Sequence, residues 1–368
     1  MTARSRDGAR RSKGDDVRIG INALYVIPGG VGGTEVYLRR LVEALEALES
    51  GHEFVVLTNR ETGRLGKRCV ELPVRAVFRP GRILYEQLRL HGVLKREGID
   101  ALLNPGFTAP AWAGVPQVTV FHDLQHKRHP EFFRWFDLPF WELLLWVAVR
   151  RSERLIAVSE ATRADVKKYY GRDAAVVEHG VEREFFELAR RREDGGYLLC
   201  ASTTHPHKNH ERLLRAFAAL RREDGAARLV LTGVRGFATQ QVEAAVAELG
   251  LGEAVELKGW VERAELYELF RRARGFVYPS RFEGFGMPVL EAMAAGVPLA
   301  CSDIEPLRSL AGGCAVLFDP EEDEAVAGAL GRLWAGDAPG GGGERAARYT
   351  WERAARETVR VIEGSLRA

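Results

Sequence analysis

Short apolar runs alternate along the chain with stretches whose apolar residues return every three or four positions. The runs at 17–22, 54–57, 74–78, 101–103, 117–121 and 154–159 end at or just before a polar residue. Runs of that length, bounded that way, are expected to be strands buried on both faces of a parallel sheet. A second series follows at 197–201, 227–233, 254–261, 276–278, 298–302 and 315–318. Between the strands the period changes. Leu38, Leu41, Val42, Leu45 and Leu48 share one helical face, with Thr34 expected as its N-cap. Leu213, Leu214 and Phe217 do the same after Asn209, the expected cap of that helix. Further helices are expected at 137–150, from 162, at 264–273, and at 289–295, where Gly296 stops the last of these. Strands and helices alternating in both halves predict an α/β protein of two Rossmann-like domains with a cleft between them.

The boundaries follow from what interrupts this pattern. Residues 1–16 are basic and polar with no apolar run, and are expected to form a disordered tail. The first domain is expected at 17–188. The polar run 190–196 reads as the linker, and the second domain spans 189–349. Residues 340–343 are a glycine loop, and Thr350 begins a capped terminal helix over 350–368.

Length and charge narrow the function. A chain of 368 residues suits two domains. A net charge of +2 gives no reason to expect a nucleic-acid partner. Cys69, Cys200, Cys301 and Cys314 have no C-x-x-C spacing, which argues against a disulfide scaffold or zinc site and fits a reducing, cytoplasmic setting. The longest apolar stretch, 138–149, is too short to span a bilayer and contains Glu142. It runs into Arg150 and Arg151, so core packing and a membrane-surface contact are both open to it.

The chemistry concentrates at 275–298. A strand ends at Pro279-Ser280, a loop carries Gly284 and Gly286, and Pro288 suits the first turn of the next helix. Glu283 and Glu291 bracket that loop. Either acid alone could simply complement the helix dipole. Together, beside the backbone N–H groups of Phe285, Gly286 and Met287, they can grip a phosphorylated polyhydroxyl ligand. Lys208 stands just before another helix start, where a cation and free amides make a diphosphate site. In the first domain, the loop 28–35 carries Gly32 and Gly33 but lacks the G-x-G-x-x-G spacing of dinucleotide folds. His122 and Asp123 end a strand and should project at the sheet's carboxyl edge. His126, Lys127, Arg128 and His129 follow in a loop expected to face an acceptor.

The stretch E-G-F-G-M-P-V-L-E-A-M-A-A-G-V-P, from Glu283 to Pro298, resembles the signature of retaining nucleotide-sugar glycosyltransferases of the GT-B fold, family 4. The resemblance extends from residue 17 onward, and the run from Ala175 to Val181 resembles the family's last strand before the crossover. It implies that Glu283 contacts the donor sugar, Glu291 the ribose, and the amides of 285–287 the sugar and diphosphate. It further assigns Gly32 and Gly33 to the donor phosphates and Trp260 and Val261 to the nucleotide base. Lys208 then stabilises the leaving diphosphate, and His122 lies near the reacting carbon. Many relatives carry an arginine where this chain has Ser202, a donor-binding position, so either Thr203, His205 or His207 helps the phosphates or Lys208 acts with helix amides alone. V-F-H-D-L and T-H-P-H-K-N resemble bacterial mannosyltransferases of surface polysaccharide, which implies GDP-mannose as donor. The acceptor would be a saccharide or lipid-linked saccharide, with peripheral contact at the inner face of the membrane. No acidic dyad ends a first-domain strand, so neither a metal nor another cofactor is expected. A UDP-sugar transferase, a nucleotide-sugar epimerase and a non-catalytic nucleotide-sugar-binding protein are the alternatives.

Overall fold

The structure, a computed structural model, describes residues 17–30 and 32–367. The expected tail at 1–16 lies outside the described residues. Seven strands form the first sheet: β1 (Arg18–Asn22), β2 (Glu53–Thr58), β3 (Cys69–Glu71), β4 (Ala101–Asn104), β5 (Gln117–Phe121), β6 (Arg154–Ala157) and β7 (Ala175–Val176). Six form the second: β8 (Leu198–Ala201), β9 (Leu229–Thr232), β10 (Val255–Gly259), β11 (Gly275–Tyr278), β12 (Leu299–Ser302) and β13 (Val316–Phe318). Their orders are β3-β2-β1-β4-β5-β6-β7 and β10-β9-β8-β11-β12-β13, with parallel pairs in both. The chain therefore folds as two Rossmann-like α/β domains.

Each sheet reverses its winding direction once, between β1 and β4 and between β8 and β11. Ligands bind open α/β sheets at such switch points, beyond the strand carboxyl ends. The loop after β1 carries Gly32. The loops after β8 and β11 carry Ser202, Lys208 and Glu283. The topology thus gathers the candidate residues without any special loop.

One apolar cluster joins the two domains. It runs from Ile19 and Val118 through Phe185 and Phe270 to Phe276 and Val289. The helix Trp351–Leu366 returns from the second domain and packs on the helix Gly33–Ala47 and on β4–β6. It buries Trp351, Ala354, Ala355, Val359 and Ile362. Thr350 caps it, accepting from the N–H of Arg353 at 3.1 Å.

Four local expectations need correction. The third strand lies at Cys69–Glu71, not at 74–78. Val74 and Ala76 alternate inward, but Val77 and Phe78 are exposed, and a helix begins at Arg79. The helix expected to be capped by Thr34 starts at Gly33, with Gly32 as its N-cap at φ 59°. Asn209 makes no cap hydrogen bond from its side chain. Its Nδ2 donates to the carbonyl of Pro320 at 2.8 Å, and its backbone is left-handed at φ 60°. Finally, the glycine loop at 340–343 gives way to a short helix, Gly342–Ala346. There a Cβ on Gly342 would press on the Met293 backbone.

Candidate active site

A cleft of about 520 Å³ opens between the two switch points. Gly32 and Gly33 line its first-domain wall with Glu35, Arg39, Arg40 and Glu182, and Ser202, Trp260, Val261, Met287 and Glu291 line the second-domain side. A Cβ on Gly32 would face the Thr203 methyl across the gap at 3.9 Å. Gly286 is the N-cap of the helix Met287–Ala294 at φ 103°, with Pro288 in the first turn. Left-handed backbone there needs glycine, and a Cβ would also strike Leu307. Phe285 is buried beside His179 and Tyr349, so its ring anchors the loop, and only its backbone remains for a ligand. Ser202 Oγ lies 3.0 Å from His210 Nε2.

Beside this cleft, the other candidate residues meet. Lys208 Nζ donates to Glu283 Oε1 at 2.6 Å and to the Tyr278 hydroxyl at 3.0 Å. Both members of the ion pair are nearly buried, with side-chain exposures of 12% and 10%. Gly284, the next residue, sits against the first domain. Its carbonyl accepts from Ser159 Oγ at 2.6 Å and from Thr162 Oγ1 at 3.2 Å. A Cβ on Gly284 would collide with the His122 carbonyl. The tip of β5 and the second-domain loop are therefore in direct contact.

His122 is buried and neutral at physiological pH. Burial pulls its pKa down to about 4, against the opposing pull of the Pro105 carbonyl. Its Nε2 donates to that carbonyl at 2.8 Å. In the neutral ring Nδ1 is then an acceptor. Burial raises the pKa of the neighbouring Asp123, with the Glu283 charge adding to it.

Sequence reasoning missed a charge network in the cleft wall. Arg263 Nη2 lies 2.8 Å from both Glu182 Oε1 and Glu291 Oε1. Arg40 Nε donates to Glu182 at 2.9 Å, and the Tyr267 hydroxyl also donates to Glu182. Burial pushes the Glu291 carboxyl up, with Arg263 opposing. At Glu182 burial is the largest single influence, yet Arg263, Arg40 and Tyr267 together outweigh it and hold the carboxyl below its usual range. The one available signal was an acid directly after His179-Gly-Val, at the end of the first domain. Also missed was a buried aromatic group behind His122. The rings of Tyr37 and His179 lie 4.7 Å apart, and Tyr37 lies 4.7 Å from His122. The basic residues expected to face an acceptor are held in ion pairs, Lys127 with Glu142 at 2.7 Å and Arg128 with Asp165 at 3.0 Å.

Two Rossmann-like domains whose switch points share one cleft define the GT-B class, and solved structures agree. Sucrose-phosphate synthase from Thermosynechococcus elongatus matches with a TM-score of 0.76 at 19% identity, covering 95% of this chain and 98% of that one. Anabaena HepE, solved with UDP and glucose, matches with a TM-score of 0.69 at 18% identity, covering 94% and 98%. Sequence models of "Glycosyl transferases group 1" and "Glycosyltransferase Family 4" match residues 181–350 and 31–185. The MMP alpha-(1->4)-mannosyltransferase of Mycolicibacterium hassiacum is 30% identical over 288 residues, 72% of this chain and 69% of that protein. The O-antigen chain mannosyltransferase B of Escherichia coli is 28% identical over 270 residues, 67% and 70%. The chain belongs to the group 1, family 4 glycosyltransferases of the GT-B fold.

Proposed function

We propose that this glycosyltransferase moves mannose from GDP-mannose to an acceptor hydroxyl in surface polysaccharide or glycolipid synthesis, with retention at the anomeric carbon. The observation that carries this reading is the contact of Gly284, next in the chain to the Lys208–Glu283 pair, with the His122 strand end, beside a cleft lined by Gly32 and Gly33. The nucleotide would lie in that cleft. Trp260 and Val261 would flank the base, and Glu291 would release Arg263 to accept from the ribose. Gly32, Gly33, Ser202 and the amides of 285–287 would hold the diphosphate and sugar.

Each role follows from the chemistry of the group. Lys208 is a preorganised cation where negative charge builds on the departing diphosphate. Glu283 accepts from sugar hydroxyls and loses Lys208 as the phosphates take it. Neutral His122 offers Nδ1 as an acceptor while its Nε2 stays tied to Pro105. Neither Glu283 nor His122 is cast as a covalent nucleophile, and the acceptor enters on the face the diphosphate leaves. Among the described residues no cluster of three or more His, Cys, Asp or Glu side chains is arranged to hold a metal ion. The proposal assigns the leaving-group charge to Lys208 and amides. The acceptor is a saccharide or lipid-linked saccharide, met at the inner face of the cytoplasmic membrane.

The donor assignment rests on the names of relatives such as the two mannosyltransferases above. UDP in the HepE structures keeps a UDP-sugar as the competing reading. Titration calorimetry with GDP and UDP separates the two. A site that pairs with guanine leaves polar groups unmet by uracil, at about 1–3 kcal/mol for each. GDP is expected to bind at least about tenfold tighter. Equal or tighter UDP binding removes GDP-mannose and leaves the site roles standing.

A further inference from the structure

Arg263 opens the helix Arg263–Arg272 and serves two carboxylates at once. Its Nη2 lies 2.8 Å from Glu291, on the second domain, and 2.8 Å from Glu182, where the chain crosses between the domains. Its Nε donates to Glu182 as well, at 3.0 Å. The guanidinium carbon stands over two rings, 5.0 Å from Phe185 and 5.3 Å from Tyr267. Contacts of that kind anchor a guanidinium by its face and leave its edge free to choose an acid.

The two acids are not alike. Glu182 has other donors, Arg40 Nε at 2.9 Å and the Tyr267 hydroxyl. Among the described residues the Glu291 carboxylate has Arg263 alone. Burial works against both anions. At Glu182 its three donors outweigh burial, while at Glu291 Arg263 does not. Glu291 is therefore the acid in need of a further donor, and it lines the cleft. A pair of hydroxyls that takes this carboxylate displaces Arg263. A partly buried guanidinium stripped of its only acid would offset the bonds so gained. Arg263 escapes that cost because Glu182 is already within reach.

We propose that Glu182 is a positioning residue that keeps Arg263 when the ribose takes Glu291, and so sets the preference of the cleft for a ribonucleotide over its deoxy analogue. Glu182 acts through Arg263 and not on the donor. Tyr267 adjusts the same exchange from outside the cleft lining, because it bonds Glu182 only. The proposal rests on the reading above that the ribose meets Glu291.

Calorimetry on the full chain with GDP and its dideoxyribose analogue tests it, or with the uridine pair if UDP is the tighter ligand. The wild type should bind the ribonucleotide at least about tenfold more tightly, since hydrogen bonds to a carboxylate are at stake. Glu182→Gln should shrink that ratio to about threefold or less, because the displaced Arg263 then has no acid to join. On an Arg263→Gln background the same change should leave the ratio where it stands. Tyr267→Phe should widen the ratio about twofold or more, since Glu182 with one donor fewer takes Arg263 more readily. If Glu182→Gln does not fold, Tyr267→Phe decides alone. A wild-type ratio in Glu182→Gln overturns the proposal, as does an unchanged or narrower ratio in Tyr267→Phe. Equal narrowing by Glu182→Gln with and without Arg263 also overturns it, because Glu182 would then meet the ribose directly. Those outcomes leave the ribose at Glu291. No preference in the wild type removes it from there, and the proposal falls with that reading.

Discussion

Lys208 holds two partners before any ligand arrives, and one of them is a carboxylate. A diphosphate must compete with Glu283 for it. Until the donor arrives, the pair keeps the ammonium aimed and desolvated at the site. Lys208→Ala removes the cation and leaves Glu283 buried and unpaired. Nucleoside-diphosphate binding should weaken by about 1.5–3 kcal/mol, the range for a hydrogen bond to a charged group. Calorimetry that finds wild-type affinity in this variant would refute the role. Lys208, Glu283 and Glu291 were legible in the sequence because their meaning lies in local context, a helix start and a glycine loop. Arg263 was not. Its partner Glu182 stands 81 positions away, and nothing short of the folded chain brings them together. Tyr37 and His179 were hidden for a related reason, since each reads alone as an ordinary helix or loop residue.

At the scale of elements, the contact between the β5 tip and the loop of Gly284 joins the two domains at the site. Gly284→Val should push the His122 carbonyl away and shift the β5 tip relative to the loop that carries Glu283. Transfer should fall at least about tenfold, and nucleoside-diphosphate affinity should fall much less, because Gly284 does not line the cleft. Turnover measured beside calorimetry checks this, and unchanged turnover would mean the contact is only structural. Nearly all the strands fall on their apolar runs, since burial on both faces leaves a continuous signal, and β7 falls where the family resemblance puts it. The exception is instructive. Val74 and Ala76 are buried as loop residues, while β3 at Cys69–Glu71 is a short edge strand with half-exposed positions. Edges carry little apolar pattern, so the sequence points a few residues too far along. Asn209 takes the expected N-cap position, but its side chain makes no cap hydrogen bond and its Nδ2 is turned to the Pro320 carbonyl instead.

For the whole molecule, buried histidines set the response to acid. His122, His126 and His210 are brought to about 4 and His207 to about 2, burial being the first cause of each. His179 and His205 move the same way for the same reason. A free imidazole titrates near 6.5. Between those values the unfolded chain binds protons that the folded chain refuses. The stability is thus complete above about pH 6.5 and is lost as pH falls toward 4, at about 1.4 kcal/mol for each tenfold difference in proton affinity between the folded and unfolded chains. Burial raises the Asp123, Glu291, Glu86 and Glu178 carboxyls, which act in the opposite direction. The histidines outnumber them, so the melting temperature should drop steadily from about pH 6.5 to about 4.5. A flat profile across that range would contradict this.

The terminal helix has a consequence for how the protein is made. The chain crosses between the domains twice, and the crossings abut. The N–H of Val181 donates to the carbonyl of Tyr349 at 3.0 Å, and a Cβ on Gly180 would run into the backbone of Trp351. The first domain is thus written in two instalments, the second being the helix Trp351–Leu366. On the ribosome its sheet emerges early but lacks the surface that covers β4–β6. At about 5–20 residues per second, the second domain is synthesised, and free to fold, during a wait of roughly ten seconds or more. The domain that starts first finishes last, and until that helix is out its nascent form is a natural client for chaperones.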